Sequence, residues 1–222
     1  MLFYLSSEGL GDSVDKLLGM LGRNRRAAII LNAKDYKTAD ERAKKLEKET
    51  ELLESIGVCG NEVDLRDYFG NPTALENAIS SYNAVWVPGG NVFLLRRAFA
   101  ASGLDRILEK KAGDPFFVYA GYSAGCCVLS PTLEGYEITD PPHVAPSPYN
   151  PDVIWKGLGL VPFQFVPHNG HGGMMAKMRN TDGFYGKNRG RYWAVADGGA
   201  LALFGGKALH AYADRENFVA LA

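Results

Sequence analysis

The sequence predicts an α/β fold, a doubly wound and mostly parallel sheet in three layers, with helices on both faces. Two observations carry this expectation. Through the first 130 residues, apolar runs of strand length alternate with segments of helical spacing, the pattern of parallel βαβ units. The runs also stop at turn residues such as Ser6-Ser7, Pro88-Gly89-Gly90 and Gly121-Tyr122-Ser123. This gathers loops at the carboxyl ends of the strands, where open α/β sheets bind ligands.

Taken in order, Leu2–Ser6 reads as the first strand and Val14–Leu21 as a helix following a cap at Asp12 or Ser13. Ala27–Leu31 is a second buried strand. Thr38–Ile56 is a long helix whose apolar stripe (Ala43, Leu46, Leu52, Leu53, Ile56) runs among Glu, Lys and Arg and ends at Gly57; its charges read as a solvated face. Glu62–Leu65 is expected to be a strand, Thr73–Ile79 a helix behind Pro72, and Ala84–Val87 a strand. Val92–Ala100 and Leu104–Lys111 are helical. Phe116–Ala120 then opens the strand that leads to Ser123. Thr132–Trp155 is a Pro-rich loop of the length that compact domains keep for binding or lid roles. Phe163–Val166 is a strand, and Met174–Met178 a short helix. Trp193–Ala196, Leu201–Phe204 and Leu209–Tyr212, separated by Gly-containing turns, read as a C-terminal antiparallel meander.

The chain has 222 residues, 46% of them hydrophobic, and no low-complexity tract, so a single domain over 1–222 with a sizeable core is expected. With 24 basic and 25 acidic residues the formal net charge is -1, which argues against nucleic acid or an anionic membrane as partner and favours a small molecule or peptide. Three cysteines, Cys126 and Cys127 adjacent, make no disulfide framework. Met1–Leu5 lacks a basic lead and turns polar at once, and no apolar run nears the ~18 residues a membrane span requires. The expected location is the cytoplasm, as a monomer or homodimer.

The chemistry centres on Gly121-Tyr122-Ser123-Ala124-Gly125, a G-x-S-x-G pattern between a strand and a helix. In such an elbow the serine is strained, the flanking glycines avoid collisions that a Cβ would cause, and Oγ stands exposed above the strand tip. The next N–H, that of Ala124, would face an oxyanion formed by attack from Ser123. Gly89-Gly90-Asn91 lies where a second oxyanion donor is needed, and His168, just past an apolar strand, lies where a base would be presented. The base needs an acid on its other nitrogen. Asp197 is the first choice and Asp140 the rival, the latter giving the Ser, acid, His order of α/β-hydrolase esterases. His168 and His171 have metal-pair spacing but lack a third ligand, so no metal or other cofactor is expected. His143 and His210 read as structural or solvent-exposed.

The combination Val87-Pro88-Gly89-Gly90-Asn91-Val92-Phe93-Leu94-Leu95, Gly121-Tyr122-Ser123-Ala124-Gly125, Val166-Pro167-His168 and Ala196-Asp197-Gly198 resembles the peptidase E (aspartyl dipeptidase) family, whose fold is similar to class I glutamine amidotransferases. The resemblance runs from about residue 80 to about 205. It implies Ser123 as nucleophile, His168 as base, and Gly90 and Ala124 as oxyanion donors. The family's third member is commonly a Glu before a Gly; here Asp197 stands in that place. It also implies cleavage of dipeptides with an N-terminal Asp. That side chain would need a cation, sought at Arg179 first and among Lys177, Arg189 and Arg191. The substrate ammonium would need an acceptor such as Glu134, Glu137 or Asp140 in the Pro-rich loop. The competing expectations are an esterase using Ser123, Asp140 and His168, and a binding protein that keeps the fold without catalysis.

Overall fold

The structure, a computed structural model, describes residues 1–169 and 192–203, with the backbone of residues 204, 210–212 and 218–219. In chain order the elements are β1 (Leu2–Ser6), α1 (Val14–Leu21), β2 (Arg26–Ile29), α2 (Ala39–Glu54), β3 (Cys59–Glu62), α3 (Pro72–Ile79), β4 (Ala84–Val87), α4 (Val92–Ser102), α5 (Leu104–Lys111), β5 (Val118–Tyr122), α6 (Ala124–Cys127), β6 (Gln164–Val166), β7 (Tyr192–Val195), β8 (Ala200–Phe204), β9 (His210–Tyr212) and β10 (Phe218–Val219). Short 3-10 helices cover Asn32–Lys34, Leu65–Tyr68 and Tyr136–Ile138.

Among the described residues the main sheet has the order β3-β2-β4-β5-β1-β8-β9. The first five strands run parallel, and β8 and β9 join antiparallel beside β1. Alternate strand residues enter two separate cores. Phe3, Leu5, Val85, Val87 and Tyr119 pack with α3, α4 and α5 on one face, whereas Tyr4, Ile29, Trp86 and Ala120 pack with α1 and α2 on the other. Burial on both faces is why the interior strands β1, β2, β4 and β5 are mostly apolar.

Two expectations are corrected. The late strands do not form one meander: β8 and β9 pair antiparallel in the main sheet, but β7 leaves it to lie parallel to β6 and antiparallel to β10 in a second sheet. The third strand is Cys59–Glu62 rather than Glu62–Leu65. It is the sheet's edge, and its half-exposed sequence carries little apolar signal. Gly60 within it lets α2 approach, since a Cβ there would lie 2.8 Å from Leu53 Cδ1 and 2.9 Å from Ile29 Cδ1. The apolar residues that suggested a strand, Val63 and Leu65, are buried just past its end, and Leu65 opens a 3-10 helix.

The Pro-rich loop is tied to α4. The buried Arg97 guanidinium donates to the carbonyls of Pro142, Pro151 and Asp152 at 2.8–3.0 Å. At the start of the same helix Asn91 caps the Leu94 N–H at 2.9 Å and donates to the Pro141 carbonyl at 2.8 Å.

Candidate active site

The tip of β5 turns through Ser123, whose φ of 51° is a conformation that non-glycine residues seldom hold outside functional turns. Its neighbours explain the glycines. A Cβ on Gly121 would stand 2.3 Å from the Val87 carbonyl oxygen, and one on Gly125 would stand 1.9 Å from it. The elbow is therefore folded directly onto the end of β4. The Ser123 carbonyl accepts from the Cys126 and Cys127 N–H groups at 2.8 and 2.9 Å and so starts α6.

His168 follows β6 and also has a positive φ, 57°. Its Nε2 lies 3.2 Å from Ser123 Oγ, and its Nδ1 lies 2.6 Å from Asp197 Oδ1. With Nδ1–H donating to the carboxylate, the Nε2 lone pair faces the serine hydroxyl, the tautomer that a general base requires. Asp197 stands at the β7–β8 turn, which Gly198 (φ 88°) and a Gly199 N–H to Ala196 carbonyl bond of 2.9 Å close. Its shorter side chain spans the gap to the imidazole without a glutamate's extra methylene.

Ser7 joins these parts, and sequence reasoning passed over it. Fully buried just past β1, its hydroxyl donates to Asp197 Oδ1 at 2.9 Å and accepts from the His168 N–H at 2.7 Å, while its own N–H donates to the Gly199 carbonyl at 3.0 Å. The available signal was a polar Ser6-Ser7 pair at the carboxyl end of an apolar strand.

The Gly89-Gly90-Asn91 loop flanks the serine on the β4 side. Gly90 presses on the 3-10 turn after β2, where a Cβ would lie 2.3 Å from the Ala33 carbonyl, and that carbonyl accepts the Asn91 N–H at 2.9 Å. The turn itself is anchored by a cluster of ion pairs: Asp35 pairs with Arg42 at 2.7 Å, and Asp64 with Arg42 at 3.1 Å and with Arg66 at 2.5 Å.

Ser123, His168, Gly89 and Gly90 open onto a cleft of about 500 Å³, lined also by Glu8, Lys34, Lys45, Lys48, Glu49 and Tyr122. The charges of α2 are thus not all a solvated face. Glu49 is buried under the elbow, accepting from Tyr122 O–H at 2.6 Å and Trp86 Nε1–H at 2.7 Å and pairing with Lys45 at 2.6 Å. Burial raises the Tyr122 phenol above its usual range, helped by the Glu49 charge.

Asp140 is placed elsewhere. Its Oδ2 accepts the Val92 N–H at 2.8 Å, at the start of α4, and the carboxylate bonded to His168 is that of Asp197. Burial pushes the Asp140 carboxyl up to about 6, against the Val92 bond that favours its charged form. Glu134 is exposed, and its backbone N–H donates to Thr132 Oγ1 at 3.1 Å; Glu137 folds back onto the Gly135 N–H. The acidic side chains that line the cleft, among the described residues, are Glu8 and Glu49. Arg179, Lys177, Arg189, Arg191, His171 and the Met174–Met178 segment lie outside the described residues, as does the His210 side chain. Cys126 and Cys127 are buried free thiols whose burial raises their pKa, which keeps them from acting as thiolate nucleophiles. Among the described residues no helix is long and apolar enough to cross a membrane.

An α/β sheet carrying a serine elbow, a strand-end histidine and an aspartate in bonded series is the arrangement of a hydrolase of the serine-nucleophile type. The model of peptidase family S51 matches residues 5–210, and the chain belongs to that family. It is 38% identical over 101 residues to a peptidase E of Streptomyces coelicolor, covering 45% of this chain and 36% of that one. An uncharacterised peptidase of Listeria innocua is 30% identical over 132 residues, with 59% of each chain covered. The matched segments thus span from about a third to 59% of these relatives' lengths. Among solved structures, a candidate peptidase E from Listeria monocytogenes superposes with a TM-score of 0.74 at 20% identity, covering 96% of this chain and 98% of that one. A peptidase from an acI-B1 actinobacterium gives 0.69 at 13% identity, covering 96% and 87%. At these identities the structural likeness speaks for the fold.

Proposed function

We propose that the protein is a serine exopeptidase that hydrolyses short peptides with a free amino terminus, dipeptides beginning with Asp above all. The observation that carries this reading is the bonded series Ser123 Oγ, His168 Nε2, His168 Nδ1, Asp197 Oδ1 at a strained elbow. Membership of family S51 supports it.

In the proposed reaction Ser123 Oγ attacks the scissile carbonyl as His168 Nε2 takes its proton. The carbonyl electrons move onto oxygen, and the Gly90 and Ala124 N–H groups donate to that oxyanion. Collapse breaks the C–N bond, His168 returns the proton to the leaving amine, and an ester is left on Ser123. Water activated by His168 then releases the acid. Asp197 holds the imidazole in one tautomer and balances its charge when protonated; Ser7 fixes both partners. Glu8, in the cleft, is the carboxylate suited to the substrate ammonium.

A dipeptide panel tests the reading: Asp, Glu, Asn or Ala before Leu, together with amino-blocked Asp-Leu. Hydrolysis of the free peptides, fastest for Asp-Leu and abolished by blocking, is expected. Cleavage of p-nitrophenyl esters but no peptide would favour the esterase. Failure to react with a serine-directed phosphonate would favour the binding protein.

A further inference from the structure

From the lysines that line the cleft with Ser123 and His168 we infer a carboxylate-binding subsite centred on Lys34, with Lys45 and Lys48 beside it, that takes a carboxylate of a short acidic peptide. This deepens the peptidase reading and rests on it. Lys34 ends the 3-10 turn Asn32–Lys34, whose Ala33 carbonyl holds Asn91 and abuts Gly90, so its side chain is carried by the same turn that backs the proposed oxyanion loop. It is half-buried and lines the cleft with Ser123.

Charge accounting sets Lys34 apart. Glu49 already pairs with Lys45 and also takes bonds from Tyr122 and Trp86, so it is satisfied. Lys37, three residues further on, pairs with Glu41 at 3.2 Å. Lys34 makes no ion pair among the described residues, and burial, then the neighbouring Lys45 and Lys37, lower its pKa. Asp140 and Glu49 offset part of this cost from a distance, but a cation partly withdrawn from water without a bonded counterion is an unfavourable arrangement, and the attraction of an incoming carboxylate compensates for both the desolvation and the lysine–lysine repulsion. The basic wall continues from the cleft into an adjoining depression lined by Lys34, Lys37, Glu41, Lys44, Lys45 and Lys48. Substrates with more than one carboxylate fit this surface better than neutral ones.

The carboxylate could be the first residue's side chain or the peptide's C-terminus, and the test separates them. Calorimetry on a Ser123→Ala background, where turnover does not interfere, measures binding of Asp-Leu, isosteric Asn-Leu and Asp-Leu amide with and without Lys34→Ala. Loss of one charge-assisted contact should weaken Asp-Leu roughly 10- to 100-fold, with Lys34→Arg recovering much of it and Lys110→Ala, at an exposed lysine paired with Glu76, changing it little. If Asn-Leu is spared, the subsite holds the side chain; if Asp-Leu amide is spared, it holds the C-terminus. Equal effects on all three peptides, no effect on any, or no binding of Asp-Leu at all would overturn the subsite. Tight, Lys34-dependent binding of peptides that wild type never cleaves would overturn the peptidase reading alone.

Discussion

The buried Ser7 hydroxyl donates to Asp197 Oδ1 at 2.9 Å, and the same oxygen accepts the His168 imidazole N–H. Asp197 is half-exposed at the tip of a turn, so its aim depends on this bond. Ser7→Ala should therefore lower kcat by about 10-fold with KM little changed, and should cost about 1–3 kcal/mol of stability because the His168 N–H loses its partner. Steady-state kinetics with denaturant titration checks both, and an unchanged kcat would show that Asp197 is oriented without Ser7.

Asp197 and Asp140 make opposite predictions. Asp197→Asn should reduce kcat by about 10²-fold or more through the wrong imidazole tautomer. Asp140→Asn should change it less than about 3-fold, because Asp140 serves α4 and an Asn oxygen can still accept the Val92 N–H. The reverse ranking, in variants shown by circular dichroism to be folded, would return the acid role to Asp140 and favour the esterase.

Asp140 should also leave a mark on stability against pH. Its carboxyl titrates near 6 when folded and near 3.8 in the open chain. Between these values the folded protein keeps a proton that the unfolded chain releases. The stability it contributes is full below about pH 3.8 and is lost as pH rises through 6, by roughly 3 kcal/mol at most. Asp140→Asn carries no such titration, so the variant should gain on wild type between pH 4 and 7 in denaturant titrations. Parallel curves over that range would mean that Asp140 titrates normally.

Gly125→Ala would set a Cβ 1.9 Å from the Val87 carbonyl oxygen, a backbone atom with little room to move. It should destabilise by about 1–3 kcal/mol or more and displace Ser123, abolishing activity. Gly113→Ala, where no atom lies within 4 Å, should be neutral in both respects.

Apolar periodicity revealed most of the parallel sheet because its strands are buried on both faces and their turns are marked by Gly and Pro. It misplaced β3, whose edge position leaves a polar Cys59–Glu62, and it could not foresee that β7 would leave the main sheet, since strand pairing partners are not written in local pattern. That Ser123, His168 and Gly90 would meet at one cleft was legible because elbow and strand-end positions have local signatures. Which of Asp197 and Asp140 would bond His168 was not decided by the residues alone; that contact depends on a β7–β8 turn brought beside the end of β6. Ser7, Glu49 and Lys34 were overlooked because a serine, a helical glutamate and a turn lysine look ordinary until β1, α2 and the turn after β2 converge on one cleft.

In the proposed mechanism Ser123 and His168 act as one unit. Single-turnover rates on a cleavable dipeptide, for Ser123→Ala, His168→Ala and the double variant, decide whether they do. Each single substitution should lower the rate by roughly 10³-fold or more, and the double variant should be little worse than either. Losses that multiply in the double variant would show that the two side chains, 3.2 Å apart, act independently and would contradict the mechanism.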